Sequence, residues 1–432
     1  MTGYPPDSLV TVRPYTHRRD ADTATIGDVD RQVYLAIPNE GLDILEWLAA
    51  GHTVGAAASK YQEKYAETPD MEDFLLALED EGFVAPASAP VPAAEAVPAR
   101  PQFRKSWTMD WLSQRTAQRL VSLPVLVVCG IVIVAAVALV VDDPGVLPTP
   151  GKALLFPYDF ALLTWITVAA ALAGVTLHEV AHVVAARAAG VPARIGIGNQ
   201  LYVLVAQTDM TGIWLAPRRH RYLAFMIGSI VDAFSGAFLI GLLWADRHGL
   251  MHVPRTLVLL SYAVLLGYLT RLGWQWFLFL RTDGYYVIST AAKCKNLLGD
   301  TEDYLRNLLA KLRLYRHRVD QSGVPRREMR IVRVYALVWI LGRLFALSVM
   351  GFVGIPVIWS YVYQVLLAVT GQHSMFHTFD FVTITVLTLA LDGGGLAVWV
   401  VGLVRGGVRR RRERVARAER RAARAAETGV TP

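Results

Sequence analysis

Charged side chains and cysteines are scarce in this 432-residue sequence. Charged residues make up 18% of the chain and hydrophobic residues 54%, and the mean hydropathy is +0.36. Because soluble domains carry about 25% charged residues, this composition is typical of a membrane protein. The two cysteines, Cys129 in an apolar run and Cys294 in a basic segment, are not expected to pair, which excludes a disulfide-stabilised scaffold.

Long apolar runs predict a mainly α, polytopic membrane protein. A hydrocarbon core about 30 Å thick requires about 20 apolar residues in a helix. Six runs of that kind are present, and we expect each to cross the membrane once. They are Leu120 to Val141, Phe160 to Ala189, Tyr222 to Ala245, Thr256 to Leu280, Ile331 to about Ser360, and Phe379 to Val404.

Basic residues predict the orientation of these crossings. They cluster before the first run, between the second and third, between the fourth and fifth, and in the arginine-rich tail 405–432. Since positive loops are retained inside, both termini are expected in the cytoplasm, with the chain in the cell membrane. The sequence shows no signal-peptide pattern, which agrees with a cytosolic N-terminal region. The net charge of +7 then indicates contact with anionic lipids and not with nucleic acid.

The sequence of residues 1–85 predicts a small cytosolic α+β domain of winged-helix type. Strand-like pieces occur at Leu9 to Val12 and at Gln32 to Ile37. Three helical patterns follow, one over Glu40 to Ala50, one starting at Thr53 and one starting at Thr68-Pro69, where a hydroxyl or a proline suits a first turn. Residues 86–103 are rich in proline and alanine and predict a semi-rigid spacer before the membrane domain, 104–404.

The first 85 residues also resemble a known family. The segments Val10-Thr-Val-Arg-Pro and Arg31-Gln-Val-Tyr-Leu-Ala-Ile-Pro-Asn-Glu-Gly, a helix with Trp47, a Gly-His-Thr-Val turn and a closing Leu-Glu-Asp-Glu-Gly-Phe-Val are similar to the PqqD-like family. That resemblance implies a module that binds the leader peptide of a ribosomally made precursor. It also implies that a peptide-modifying enzyme or an exporter is a partner.

The most specific motif is His178-Glu-Val-Ala-His182 in the second apolar run. Its two imidazoles lie one helical turn apart on one face, which suits a single Zn²⁺ ion, and Glu179 can accept a proton from an attacking water. Ionisable side chains are costly inside a membrane, so their presence indicates function. From Phe160 to His178 is about 27 Å along a helix, which places the motif towards the cytosolic leaflet.

A catalytic zinc usually has three protein ligands, and three aspartates compete for the third position. Asp283 lies at the cytosolic end of the fourth run, at the same depth as the histidines. Asp392 and Asp232 lie nearer the bilayer centre, where they are alternative ligands or groups that contact the ligands or the substrate. We favour Asp283.

The membrane region resembles the site-2-protease family of intramembrane zinc metallopeptidases. The matching positions are His178, Glu179, His182 and Asp283 with Gly284, over roughly Phe160 to Leu298. The family commonly has a leucine before the ligand aspartate and an asparagine-proline element upstream. This chain has Thr282 instead and lacks that element, whereas a literal Leu-Asp-Gly occurs at Asp392, which keeps this residue as an alternative.

Two short strands are predicted after the motif, at Ala193 to Gly198 and Leu201 to Ala206. An exposed strand edge at the membrane surface can add an extended substrate as a further strand. The same hairpin could instead serve only to plug the site.

Together these features predict a membrane-embedded zinc metalloendopeptidase that hydrolyses a peptide bond in a precursor or leader peptide delivered by the N-terminal domain. One alternative is a non-hydrolytic binding or immunity protein that keeps a structural metal site. Another is a peptide exporter, for which Asp232 and Asp392 in the apolar runs are the support.

Overall fold

The computed structural model describes residues 4–19, 23–28, 33–86, 106–149, 159–200, 203–294, 296–312, 318–321, 324–356 and 378–388, together with isolated positions between 359 and 404. The described chain is mainly helical, with a small N-terminal α+β region. Both features confirm the predicted mainly α architecture with a small N-terminal α+β domain.

The N-terminal unit has five strands and three helices, three strands more than predicted. Strand β1 pairs antiparallel with β5, and β2, β3 and β4 form a three-stranded antiparallel sheet. The elements are β1 Val10–Val12, β2 Thr16–Arg19, β3 Thr23–Asp28, β4 Val33–Pro38, α1 Asn39–Ala49, α2 Val54–Tyr65, α3 Met71–Asp80 and β5 Val84–Pro86. The polar sequence of β2, Thr-His-Arg-Arg, gave no alternating pattern from which a strand could be predicted.

Polar caps fix the starts of α2 and α3. The hydroxyl of Thr53 accepts a hydrogen bond from the amide of Ala56, as predicted for α2. The predicted start of α3 at Thr68-Pro69 was wrong, because the carboxylate of Asp70 accepts a hydrogen bond from the amide of Asp73 and begins the helix at Met71. Apolar faces of the helices then enclose one buried core with the sheet, formed by Ile26, Leu42, Leu45, Leu48, Leu75, Leu78 and Phe83.

The rest of the described chain is built from longer helices. Five of them are long and apolar enough to cross a membrane, counting α4 and α5 together. The bounds are α4 Gln114–Leu120, α5 Leu123–Asp142, α6 Phe160–Ala188, α7 Arg218–Arg247, α8 Arg255–Trp274, α9 Asp283–Ala292, α10 Leu297–Lys311, α11 Arg326–Val349, and α12 Thr378–Thr388.

Two of the six predicted crossings differ from the structure. The fourth was predicted to reach Leu280, but α8 ends at Trp274 because the chain turns back there, with the Thr282 hydroxyl donating to the Gln275 carbonyl at 3.0 Å. The sixth is described as a continuous helix only over α12, and much of its remaining length, including Asp392, lies outside the described residues.

A three-stranded sheet combines one strand that precedes α4 in the chain with two strands that follow α6. Strands β6 Ser106–Thr108, β7 Arg194–Gln200 and β8 Val203–Asp209 are antiparallel in the order β6-β7-β8. The predicted hairpin is thus present with longer strands, and the short strand β6 was not predicted. Within the described residues, β8 is an edge strand that packs on α6.

Helix α7 occupies the centre of the membrane region. It packs against α5, α6, α8 and α9, and it buries Ala224, Ile227, Gly228, Asp232 and Gly236 along one side. Small residues allow neighbouring helices to approach closely, as is common between helices in membranes. The helix that carries the His-Glu motif therefore lies against α7 along a tight interface.

Candidate metal centre

Helix α6 holds the three residues of the motif in the protein interior. His178, Glu179 and His182 are 6%, 8% and 2% exposed. Because they occupy one segment of α6, the two histidines stand one turn apart with their rings 4.8 Å between centroids. Burial of three ionisable groups is costly unless each has a partner, so their contacts decide what the site can do.

Three side-chain atoms converge at one point. The Nε2 atoms of His178 and His182 are 3.1 Å apart, and each is 3.2 Å from Oδ2 of Asp283. A tetrahedral zinc with bonds of about 2.0 Å separates its ligand atoms by about 3.3 Å. Among the described residues this is the group of histidine, cysteine and acidic side chains that could hold a metal ion. The structure thus brings together the three favoured ligands.

The turn between α8 and α9 places Asp283. Thr282 caps α9, with its hydroxyl accepting from the amide of Tyr285 at 3.3 Å. The amide of Asp283 donates to the side-chain oxygen of Gln275 at 3.0 Å. A side chain at Gly284 would clash, since a Cβ there would lie 2.2 Å from the Gln275 carbonyl oxygen. The threonine that departs from the family pattern is therefore the residue that closes this turn.

Each histidine has a hydrogen-bond acceptor at its other ring nitrogen. Nδ1 of His178 is 2.8 Å from Oδ2 of Asp232, and Nδ1 of His182 is 2.7 Å from the carbonyl oxygen of Ala224. These contacts direct both Nε2 atoms towards Asp283, as is usual for metal-binding histidines. Asp232 is 1% exposed and lies behind His178, so the geometry favours its supporting role over its role as an alternative ligand.

Arg271 on α8 completes the support of His178. Its Nη2 donates to Oδ1 of Asp232 at 2.8 Å, and its Nε donates to Oδ2 at 3.2 Å. A buried carboxylate needs such a partner to remain charged. Arg271 was not predicted, although an arginine inside a predicted crossing is a sequence signal that could have found it.

A glycine on α7 makes room for the two imidazoles. A Cβ on Gly228 would lie 2.5 Å from Nε2 of His182 and 2.6 Å from Nε2 of His178. Real Cβ atoms do not approach other heavy atoms so closely, and here the neighbours are the metal-facing atoms. Gly228 was not predicted, because a single glycine in an apolar helix carries no distinguishing pattern.

Glu179 has a different environment from the three candidate ligands. Its Oε2 accepts a hydrogen bond from the hydroxyl of Thr208 on strand β8 at 2.7 Å, and the same hydroxyl is 3.1 Å from the Glu179 carbonyl oxygen. The carboxylate is thus held by the edge strand and remains separate from the converging ligand atoms. Thr208 was also missed, since a threonine in a strand is common.

The donor set fits a zinc ion well. Two neutral imidazoles and one carboxylate are the ligands that zinc takes in catalytic sites with an open fourth position. The ligand atoms are evenly spaced, both rings are oriented, and Gly228 leaves space beside them.

Comparison with known proteins adds no assignment. The chain matches no family model, and neither curated proteins nor solved structures give a match. The resemblances to the PqqD-like and site-2-protease families therefore stay predictions from sequence motifs.

Proposed function

We propose that this protein is a membrane-embedded zinc metallopeptidase with His178, His182 and Asp283 as ligands and Glu179 as general base. The observation that carries the proposal is the convergence of three ligand atoms 3.1–3.2 Å apart beside a buried glutamate that is not a ligand. A zinc ion held by these three side chains would supply Lewis acidity and would make an attacking water more acidic.

The protein's own groups then perform the proton transfers. Glu179 accepts the proton of the attacking water and delivers it to the leaving amine. Thr208 holds that carboxylate in one position through its 2.7 Å hydrogen bond. Asp232 and Arg271 keep His178 in the tautomer whose Nε2 faces the ligand cluster.

We further propose that the substrate is a ribosomally made precursor or leader peptide captured by the N-terminal unit. The edge of β8 supports this proposal, because an extended peptide can pair with it beside Glu179. We propose that the protein lies in the cell membrane with both termini in the cytoplasm. Its arginine-rich segments would contact anionic lipids there. Asp232 is held by Arg271 and His178, so its contacts favour a role in the site over a transport pathway.

Substitution of the general base tests the proposal. Purified Glu179→Gln protein should keep one zinc per chain and lose hydrolysis of peptides that the wild type cleaves, screened with a quenched fluorescent peptide library. Glu63→Gln, an exposed glutamate on α2, is the matched control and should cleave normally. Hydrolysis by Glu179→Gln at the wild-type rate would contradict the role of Glu179. Zinc binding without hydrolysis of any library or co-encoded peptide would favour the non-hydrolytic alternative.

A further inference from the structure

The N-terminal unit contacts the membrane region through the sheet β2-β3-β4. The guanidinium of Arg18 on β2 donates to the carbonyl oxygen of Leu215 at 3.2 Å. A Cβ on Gly27 of β3 would lie 3.0 Å from Cδ1 of Leu215. The partner surface is the single 3-10 turn Thr211–Leu215, which we call the docking turn.

Tyr34 on β4 lies over the same turn. A Cβ on Gly212 would be 2.8 Å from the Tyr34 hydroxyl, and the Tyr34 ring also covers Gly27. Burial raises the pKa of Tyr34, and the nearby carboxylates of Asp209 and Asp28 raise it further. The absence of side chains at Gly27 and Gly212 therefore allows Tyr34 and Leu215 to pack closely between the N-terminal unit and the docking turn.

The docking turn is firmly joined to strand β8. Oδ1 of Asp209, the last residue of β8, accepts from the amide of Thr211 at 3.2 Å, while Oδ2 accepts from Arg194 on β7 at 3.1 Å. One residue before Asp209 is Thr208, which holds Glu179. Gly212, where the docking turn meets the N-terminal unit, is thus four positions along the chain from Thr208, whose hydroxyl positions the proposed general base.

The docking turn also packs against the helix that begins with Asp283. Trp214 contacts Phe225 on α7 and Tyr286 on α9, with ring centroids 5.8 Å and 6.4 Å apart. Phe225 and Tyr286 stack on each other at 5.2 Å. The turn is therefore anchored among elements that carry the metal centre, on both the Glu179 side and the Asp283 side.

We propose that this contact is a functional docking interface, which holds a peptide bound by the N-terminal unit close to the metal centre. This inference rests on the proposed peptidase function. Gly212 is four chain steps from Thr208, at most about 14 Å, and the side chains at either end bring the total to about 25 Å between Tyr34 and the Glu179 carboxylate. The 19 residues 87–105 span at most about 59 Å at about 3.1 Å per residue. A unit held by this connection alone would therefore range over a volume about tenfold larger than a sphere of about 25 Å radius.

Photo-crosslinking tests the contact without any substrate. The full-length protein in detergent or nanodiscs would carry p-benzoylphenylalanine at position 34, where the aromatic ring of Tyr34 meets the docking turn. Mass spectrometry should find crosslinks to the peptide that contains Thr211–Leu215. The crosslink should be lost in Arg18→Glu and kept in Glu67→Lys, an exposed charge reversal on the same unit. Crosslinks that avoid residues 211–215 would overturn the proposal.

Effective molarity tests the functional consequence. The best-cleaved peptide of a quenched fluorescent library would be attached by a flexible maleimide linker to Glu63→Cys, in a background with Cys129→Ser and Cys294→Ser. Its first-order cleavage rate, divided by kcat/KM for the free peptide, gives the effective molarity. We expect Arg18→Glu and Tyr34→Ala to lower this value about tenfold, with free-peptide kcat/KM and zinc content unchanged.

The outcomes separate docking from catalysis. If the wild type cleaves no peptide, the proposed function fails, while the crosslink at position 34 still tests the interface. If free and attached peptides are cleaved but the effective molarity is the same in Arg18→Glu and wild type, docking has no role in delivery. Insertion of 20 Gly/Ser residues into 87–105 supplies a further check, since it should lower the effective molarity in Arg18→Glu more than in the wild type.

Discussion

Asp232 on α7 and His178 on α6 are joined by a 2.8 Å contact between Oδ2 and Nδ1, and Arg271 on α8 binds the same carboxylate from the other side. Three helices are thereby connected at one proposed metal ligand. A carboxylate behind a histidine fixes its tautomer and increases its basicity, and loss of such a group typically lowers metal affinity about 10- to 100-fold.

Asp232→Asn should therefore weaken metal binding without removing a ligand. We expect an increase of about 10- to 100-fold in the zinc dissociation constant, measured by competition with a chelator. Asp246→Asn, at the far end of the same helix, is the control and should bind zinc like the wild type. Unchanged affinity in Asp232→Asn would show that the contact does not support the metal centre.

Gly228→Ala should block the centre by steric overlap. The new Cβ would lie 2.5 Å from Nε2 of His182, and the required shift of the imidazoles costs about 1–3 kcal/mol. This predicts zinc affinity lower by about ten- to hundredfold. Gly241→Ala on the same helix meets no atom within 4 Å and should bind zinc normally. Normal zinc binding by Gly228→Ala would contradict the described approach of α7 to the histidines.

Thr208→Val should impair catalysis with the metal retained. Without the hydroxyl, the carboxylate of Glu179 loses the 2.7 Å bond that positions it, and kcat should fall by about ten- to hundredfold. Zinc content should stay at the wild-type value, and Thr208→Ser should restore most of the activity. Equal kcat values for Thr208→Val and wild type would remove this hydrogen bond from the mechanism.

Asp43 should stabilise the N-terminal unit in a pH-dependent way. Its carboxylate, 4% exposed, accepts hydrogen bonds from Lys64, Tyr65 and Arg19. Burial raises the pKa of Asp43, but these hydrogen bonds outweigh burial and lower the pKa from 3.8 to about 2. A lowered folded-state pKa means that the stabilisation, about 2 kcal/mol, is complete above about pH 4 and is lost as the pH falls towards 2.

The free energy of unfolding of the N-terminal unit, measured in the full-length protein at several pH values, tests this dependence. An environment-sensitive fluorophore on Glu63→Cys, with both native cysteines changed to serine, would report denaturant unfolding of the N-terminal unit. Asp43→Asn should destabilise the unit at pH 7 and should differ less from its parent at pH 3. A difference that grows on acidification would have the wrong sign for a carboxylate with a lowered pKa.

Much of the candidate metal centre could be predicted from the sequence because its core is local. His178, Glu179 and His182 are placed by helical periodicity alone, and Asp283 was found from its expected depth in the membrane. Thr208 and Gly228 could not be found in this way, because their roles come from contacts between α6, β8 and α7 that no local pattern encodes. Asp232 was recognised as important, but its support of His178 required the positions of three helices.

In the fold, too, features set by local sequence could be predicted and features set by contacts between elements could not. Among the described residues, the long apolar runs predicted five helices that are long and apolar enough to cross a membrane, since the required length is set by a known thickness. Within the N-terminal unit, Thr16–Arg19 gave no strand signal because its pairing depends on β3 and not on its own sequence. The early end of α8 at Trp274 was also missed, because the residues that follow are apolar and only the Gln275–Thr282 contact reveals the turn.

The most direct test of the account is the zinc content of purified protein, determined by plasma mass spectrometry, for the wild type, Asp283→Ala and Asp392→Ala. The proposed coordination by His178, His182 and Asp283 predicts one zinc per chain in the wild type and in Asp392→Ala, and less than about one tenth of that in Asp283→Ala. Wild-type protein without bound zinc, or full zinc occupancy in Asp283→Ala, would contradict it.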